Sequence, residues 1–264
     1  MNLSSIYAPV QLLLGQTEAE LDRLVQEYGD PEVHEVLGQF LSHPGKRIRP
    51  ALLFLSAGAG NPSQRENSPH LVKAATAFEL VHSASLVHDD IIDVADLRRG
   101  AATVNGRFGN TVAVLAGDLL YAQAFLMLPE NVPIFRIILN VTKRMCMGEI
   151  HQMRAKTMTE ELYFKVIESK TALLMSASCE VGAILSGAQP EVVATLREFG
   201  LRFGFLYQLV DDWQDQDAPV ENFHFAGQIE RHRRLAQDCL KTLPESAYRT
   251  SLSTFVDELA AEAK

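Results

Sequence analysis

Helical periodicity runs through almost the whole chain, and two of its helical stretches, 112–128 and 171–186, are apolar nearly all round. A helix without a polar face belongs at the centre of a large bundle, not on its outside. The apolar spacing predicts further helices at about 32–42, 51–59, 70–94, 132–154, 159–187, 190–216, 225–241 and 246–262. A first amphipathic helix carries Leu12, Leu13, Ala19, Leu21 and Leu24 on one face, and Thr17-Glu18-Ala19-Glu20 has the form of a capping box at its start. Pro50 falls in a first helical turn, where its missing N–H costs little. Gly60-Asn61-Pro62, Gly109-Asn110-Thr111 and Gly187-Ala188-Gln189-Pro190 punctuate the pattern. No alternating stretch bounded by turn residues stands out, so no sheet is expected. There is no internal repeat and no linker. One all-α domain over residues 1–264 fits best, and 264 residues are ample for a buried core.

The 112–128 stretch is interrupted by Asp118 and Gln123 and reads as a buried core helix, not a membrane span. The first residues lack the features of a signal peptide. Cys146, Cys179 and Cys239 are far apart and show no zinc-ligand spacing. Such sparse cysteines suit a reducing compartment, and a cytoplasmic location is expected. The net charge of −9 argues against a nucleic-acid binder.

Eight of the 33 acids fall in two short windows: Asp89, Asp90, Asp93 and Asp96, then Asp211, Asp212, Asp215 and Asp217. Each window opens D-D-x-x-D. On a helix, residues i and i+4 share a face, so Asp89 points with Asp93 and Asp211 with Asp215. Their flanks are apolar: Leu86, Val87, Ile91 and Ile92 around the first, Phe205, Leu206, Leu209, Val210 and Trp213 around the second. Carboxylates inside an apolar helix are costly unless neutralised or coordinated. Two such sets facing each other make a hard-cation site, and magnesium suits carboxylates combined with phosphate oxygens. Cations accompany them. Lys46, Arg47 and Arg49 precede a helix N-terminus, where anions are favoured. Arg98 and Arg99 follow the first aspartate set, and Lys170-Thr171 opens an apolar helix. Metal and polyphosphate together account for both signs of charge.

The segments GKRIRP at 45–50, HSASLVHDDIID at 82–93, LRRG at 97–100, VLAGDLLYAQA at 114–124, GEIHQ at 148–152, KTALL at 170–174 and FLYQLVDDWQD at 205–215 resemble the trans-isoprenyl diphosphate synthases, or polyprenyl synthetases. The resemblance spans most of residues 40–216. It implies an all-α bundle around a central cavity, usually homodimeric, and head-to-tail (1'-4) condensation of isopentenyl diphosphate onto an allylic diphosphate to give a longer all-trans polyprenyl diphosphate. It implies several Mg2+ ions held by Asp89, Asp93, Asp211 and Asp215, with Asp90 and Asp212 as second choices. Catalysis would rest on Asp89, Asp93, Asp211 and Lys170. Lys46, Arg49, His82 and Arg99 would hold isopentenyl diphosphate, with Arg47 weighted lower. Arg98, Lys170, Thr171 and Gln208 would hold the allylic diphosphate. Glu149 and Gln152 share a face nearby and would support these groups. His88 and Asp118 match the family without an assigned role. Ala84 and Ser85, the small residues before Asp89, leave the cavity floor open, which in this family goes with products at or beyond geranylgeranyl. The stop would then lie among Tyr121, Phe125 and Met127. A lipid product also leaves room for peripheral membrane contact.

After Asp215 the chain departs from the family. A Lys- and Gly-containing loop and a following GK-x-T-L-P-like stretch are replaced by QDAPVENFHFAGQIERHRR, and the C-terminal region after about 216 reads as shortened. Arg231, Arg233 or Arg234 would stand in for the missing lysine, or else form a solvated face. The departure leaves two alternatives to a prenyltransferase: a subunit needing a partner chain, and a terpene cyclase. Intact aspartate sets disfavour the first, and the retained Lys46, Arg49 and His82 disfavour the second.

Overall fold

The computed structural model describes residues 1–41, 45–62, 69–98, 100–128 and 130–263. Helices α1 (Leu3–Tyr7), α2 (Gln11–Glu27), α3 (Pro31–Leu41), α4 (Ile48–Gly60) and α5 (Pro69–Ile92) make up the N-terminal third. A short α6 (Val104–Phe108) precedes α7 (Asn110–Met127) and α8 (Val132–Arg154). Then come α9 (Glu160–Ile167), a π-helical turn at Glu168–Ala172, α10 (Leu173–Leu185), α11 (Pro190–Gln214), α12 (Phe225–Lys241) and α13 (Ala247–Ala261). The all-α class holds, with one small exception to the expected absence of sheet. Leu97–Arg98 pairs antiparallel with Ala101–Ala102, a minimal ribbon just after the first aspartate set. It is too short to carry an alternating pattern.

Helix α10 lies at the centre, with Leu174, Met175, Ala177, Cys179, Val181 and Ala183 all buried between α4 and α11. Close approach explains its small residues. A Cβ on Gly182 would sit 2.1 Å from the Leu53 carbonyl of α4, and one on Gly200 of α11 would sit 2.8 Å from the Met175 carbonyl. Any side chain there would push the three helices apart. Helix α5 packs along α7 in the same manner, where Gly117 lies under the His88 ring and a Cβ would meet Nε2 at 2.1 Å.

Two sequence expectations are corrected and one is refined. Helix α2 starts at Gln11, so Thr17 is in its interior and its hydroxyl donates back to the Leu13 carbonyl at 3.0 Å; there is no capping box. A local pattern cannot tell a helix start from a mid-helix turn when apolar spacing continues upstream. The helix predicted over 159–187 is present as one run but passes through a π turn at Glu168–Ala172, whose extra residue per turn shifts the 3.6 period. Helix α7 is not a buried core helix. Only 33% of it is buried, and Val114, Leu115 and Leu126 are exposed. Its inner side, with Ala113, Ala116, Gly117, Leu120 and Ala124, packs in the bundle. Its outer side joins Val132, Phe135, Leu139, Met147, Ile150 and Met153 of α8 in an uncovered apolar face. All-round apolarity therefore does not by itself place a helix inside the bundle: α7 packs along one side and leaves apolar side chains exposed on the other.

Candidate active site

Helices α5 and α11 both end at an aspartate set. The C-terminal end of a helix carries partial negative charge, so each set adds carboxylates where the potential is already negative, a poor arrangement unless a cation is drawn there. Three cavities adjoin these ends. Lys46, Arg49, Glu79, His82, Arg98 and Tyr207 line the first. Ser85, Asp89, Tyr121, Cys146, Glu149 and Lys170 line the second. Gln152, Tyr163, Thr171, Gln208, Asp212 and Asp217 line the third, together with Lys170, which stands in both walls.

The first cavity gathers Lys46, Arg49 and His82 as the resemblance implied. Arg49 projects into it with its Nε buried and without an acceptor. Burial pushes its guanidinium pKa down, against the pull of the Glu79 carboxylate. The neighbouring Arg47 also borders the cavity, but its charge is already paired. Its backbone is left-handed (φ 50°), and its guanidinium reaches Glu18 at 2.6 Å and Glu79 at 2.7 Å. The basic run thus divides by partner: Arg47 is held by two carboxylates, whereas the Arg49 Nε has no acceptor. Arg98 also lines this cavity, apart from Lys170, Thr171 and Gln208, and its Nε donates to Asp90 Oδ1 at 2.7 Å. Arg99 lies outside the described residues.

At the second cavity, Asp89 is half-buried and its carboxyl is raised to about 6, chiefly by burial. Lys170 pulls it down, while Glu149 and Asp93 push it up. Asp90 is buried, and burial raises its carboxyl against the bond from Arg98. Asp93 is exposed just past the helix end. Ser85 lines the cavity, but Ala84 does not: it is fully buried in the hydrophobic core, since neighbouring helix positions point about 100° apart. Tyr121 forms the far wall and stacks on Phe125 at 6.3 Å, whereas Met127 is buried in the core away from the lining. His88 acquires a structural role, its Nε2 meeting the Val114 carbonyl at 3.1 Å and Asp118 at 3.8 Å.

The third cavity brings Lys170, Thr171 and Gln208 together, again as the resemblance implied. Glu149 forms an ion pair with Lys170, and Gln152 Oε1 accepts from its Nζ at 3.0 Å. Thr171 Oγ1 donates to Gln208 Oε1 at 2.8 Å, and Gln208 Nε2 donates to Asp212 Oδ1 at 2.8 Å. The Tyr163 hydroxyl donates to Asp212 Oδ2. Burial raises the Asp212 carboxyl, and these two bonds oppose it. Asp212, a second choice from sequence, thus faces the cavity, while Asp211 and Asp215 are exposed at the helix end. Tyr163 was not legible in the sequence, since it sits in an ordinary amphipathic helix 49 residues from its partner. None of Arg231, Arg233 and Arg234 lines the three cavities. Arg233 is tied to Asp257 and Glu230, and Arg231 and Arg234 are exposed.

Among the described residues no three His, Cys, Asp or Glu side chains converge on one point. The oxygen donors stand in pairs at two helix ends, so a divalent cation fits here only with oxygens from a bound diphosphate.

The fold is that of the helical isoprenoid synthases. A polyprenyl synthase from Caulobacter crescentus CB15, solved in complex with calcium and isoprenyl diphosphate, superposes with a TM-score of 0.85 over 98% of both chains at 21% identity. The polyprenyl synthetase family matches residues 30–224, and the chain belongs to that family. It is 35% identical to a geranylgeranyl diphosphate synthase of Methanosarcina mazei, over 84% of this chain and 70% of that one. It is 38% identical to heptaprenyl diphosphate synthase component 2 of Geobacillus stearothermophilus, over 81% of this chain and 67% of that one. The chain is a prenyltransferase that elongates a prenyl diphosphate, in a family that uses divalent metals.

Proposed function

We propose that the chain condenses isopentenyl diphosphate head-to-tail with an allylic diphosphate, using Mg2+, to give an all-trans product of geranylgeranyl length or longer. The observation that carries the assignment of substrates is the buried Nε of Arg49, which has no acceptor of its own and shares a cavity with Lys46 and His82. A buried cationic donor without an acceptor is costly, and an incoming diphosphate supplies one. This cavity holds isopentenyl diphosphate. Lys170, Thr171 and Gln208 hold the allylic diphosphate across the next wall, with Arg98 at the border.

Asp89, Asp93, Asp211 and Asp215 hold the Mg2+, with Asp212 facing inward. When bound, Mg2+ would neutralise charge on the departing diphosphate. The chain's own residues do the positioning. Lys46, Arg49 and His82 orient one substrate against the other, and Lys170 adds a fixed positive charge where diphosphate charge develops. The apolar flanks of α5 and α11 keep water from the allylic carbon. The small Ser85 beneath Asp89 leaves room for a growing tail, and the Tyr121–Phe125 stack ends it. Relatives named as a geranylgeranyl diphosphate synthase and as component 2 of a heptaprenyl diphosphate synthase support a product in this range. The uncovered apolar face of α7 and α8 suits a homodimer.

The test is direct. The purified chain is incubated with isopentenyl diphosphate, farnesyl diphosphate and Mg2+, and extracted products are weighed by mass spectrometry. A ladder rising in five-carbon steps is expected. No elongation from any allylic primer by a folded chain overturns the proposal.

A further inference from the structure

The segment after Asp215 shows what stands where the family's Lys/Gly loop is absent. Asp217 returns its N–H to the Asp212 carbonyl at 3.0 Å, and Asp217, Ala218 and Pro219 then line the third cavity. Phe223 stands edge-on to the Tyr163 ring at 5.2 Å and to Phe225 at 4.7 Å, and Phe225 meets Trp213 at 5.8 Å. The segment therefore grips the second aspartate set twice, through the backbone of Asp212 and through the ring of Tyr163.

The polar partners of Asp212 form a relay. Thr171 orients the Gln208 amide, which donates to one carboxylate oxygen, and the Tyr163 hydroxyl donates to the other. Both partners are neutral donors. They fix the carboxylate without neutralising its charge, and each oxygen keeps a lone pair for a cation. Outer groups of this kind orient metal ligands, and losing one commonly costs ten- to a hundredfold in metal affinity.

We propose that Tyr163 is a positioning residue for the second aspartate set, acting through Asp212, and that the 216–225 segment holds Tyr163 in place. The proposal rests on the prenyltransferase reading above and adds the means by which this chain keeps its second set in order. Trp213, the chain's single tryptophan, lies inside that set and is half-exposed, so its fluorescence reports on the site without turnover.

The experiment titrates the full chain with Mg2+ in the presence of inorganic pyrophosphate while following Trp213 emission. Tyr163→Phe keeps the ring and removes only the hydroxyl. It is expected to raise the Mg2+ midpoint about tenfold and to lower kcat, with KM for isopentenyl diphosphate unchanged. Phe223→Leu is expected to shift the midpoint the same way by roughly threefold, as a looser hold on the ring would. In an Asp212→Asn background, Tyr163→Phe is expected to add nothing, the signature of action through that carboxylate. A wild-type midpoint in folded Tyr163→Phe, or an undiminished effect in the Asp212→Asn background, overturns the proposal. A Phe223→Leu variant with a lowered Tm but an unmoved midpoint overturns the part given to the segment. If the unmutated chain neither responds to Mg2+ with pyrophosphate nor elongates any primer, the prenyltransferase reading has failed, and this inference with it.

Discussion

The two aspartate sets have the same letters and different surroundings. In the first, the middle residue Asp90 is sunk in the protein and held by a cation, Arg98, while Asp89 faces the cavity beside Lys170. In the second, the middle residue Asp212 faces the cavity and is held by neutral donors, Tyr163 and Gln208. The spacing of a motif places carboxylates on a helix end. Which of them points at substrate depends on the partners that neighbouring helices supply.

The sharpest break of that comparison is in turnover. Asp89→Asn is expected to lower kcat by about a thousandfold, the scale of losing a group aimed at developing charge. Asp215→Asn, at an exposed position, is expected to cost about tenfold. Steady-state assays against one primer separate the two, and equal losses would mean that the sets are equivalent after all. Stability comes next. Arg98→Ala strands the buried Asp90 and should cost about 2–3 kcal/mol, below the fully buried figure because Arg98 is partly solvated. Gln208→Ala removes one neutral hydrogen bond and should cost about 1 kcal/mol. Urea melts measure both.

Protonation offers a finer contrast. Burial raises Asp89 to about 6, and a cation needs its ionised form. Asp89 should therefore add to the fall in affinity for Mg2+ with pyrophosphate below pH 6, by up to about tenfold per pH unit, on top of the ligand's own protonation. Asp89→Asn should make the slope shallower than that of the unmutated chain, as calorimetric titrations of both across pH 5–8 would show. The sign for the metal-free fold is opposite. The carboxyl binds its proton more readily folded than unfolded, so its contribution to stability rises as the pH falls from 6 towards 4. The smallest effect concerns the turn before each set. Ser85, four residues before Asp89, opens the tail cavity, whereas Gln208, four before Asp212, closes a polar relay. Ser85→Phe should shorten the product by one or more five-carbon units. Ala84→Phe should leave product length alone and destabilise the core by about 1–3 kcal/mol through overpacking.

Much of this was legible in the sequence because it is local. Apolar spacing located the main helices to within a few residues, and D-D-x-x-D with its apolar flanks located both helix ends. What was not legible depends on contacts between distant segments. Nothing in the 159–167 stretch marks Tyr163 as the partner of Asp212, and nothing near Arg47 tells that its side chain is paired with Glu18 and Glu79. Ala84 and Ser85 are both small and adjacent, yet one packs in the core and the other lines a cavity. The apolarity of α7 was read as burial all round, whereas the helix buries one side and exposes Val114, Leu115 and Leu126 on the other.

The π turn at Glu168–Ala172 carries Lys170 and Thr171, and it sits between α9, which supplies Tyr163, and α10, which fills the core. One residue added to a helix rotates everything beyond it by about 100°. The turn thus acts as a phase shifter, letting one continuous helical rod meet two unrelated demands on facing: Tyr163 toward Asp212, and the small residues of α10 toward α4 and α11. Deleting a single residue from it would give a more regular helix and set those two faces out of register. A length change here would therefore be felt in the core and at the cavity together, whereas most substitutions in the same turn would be felt in one place alone.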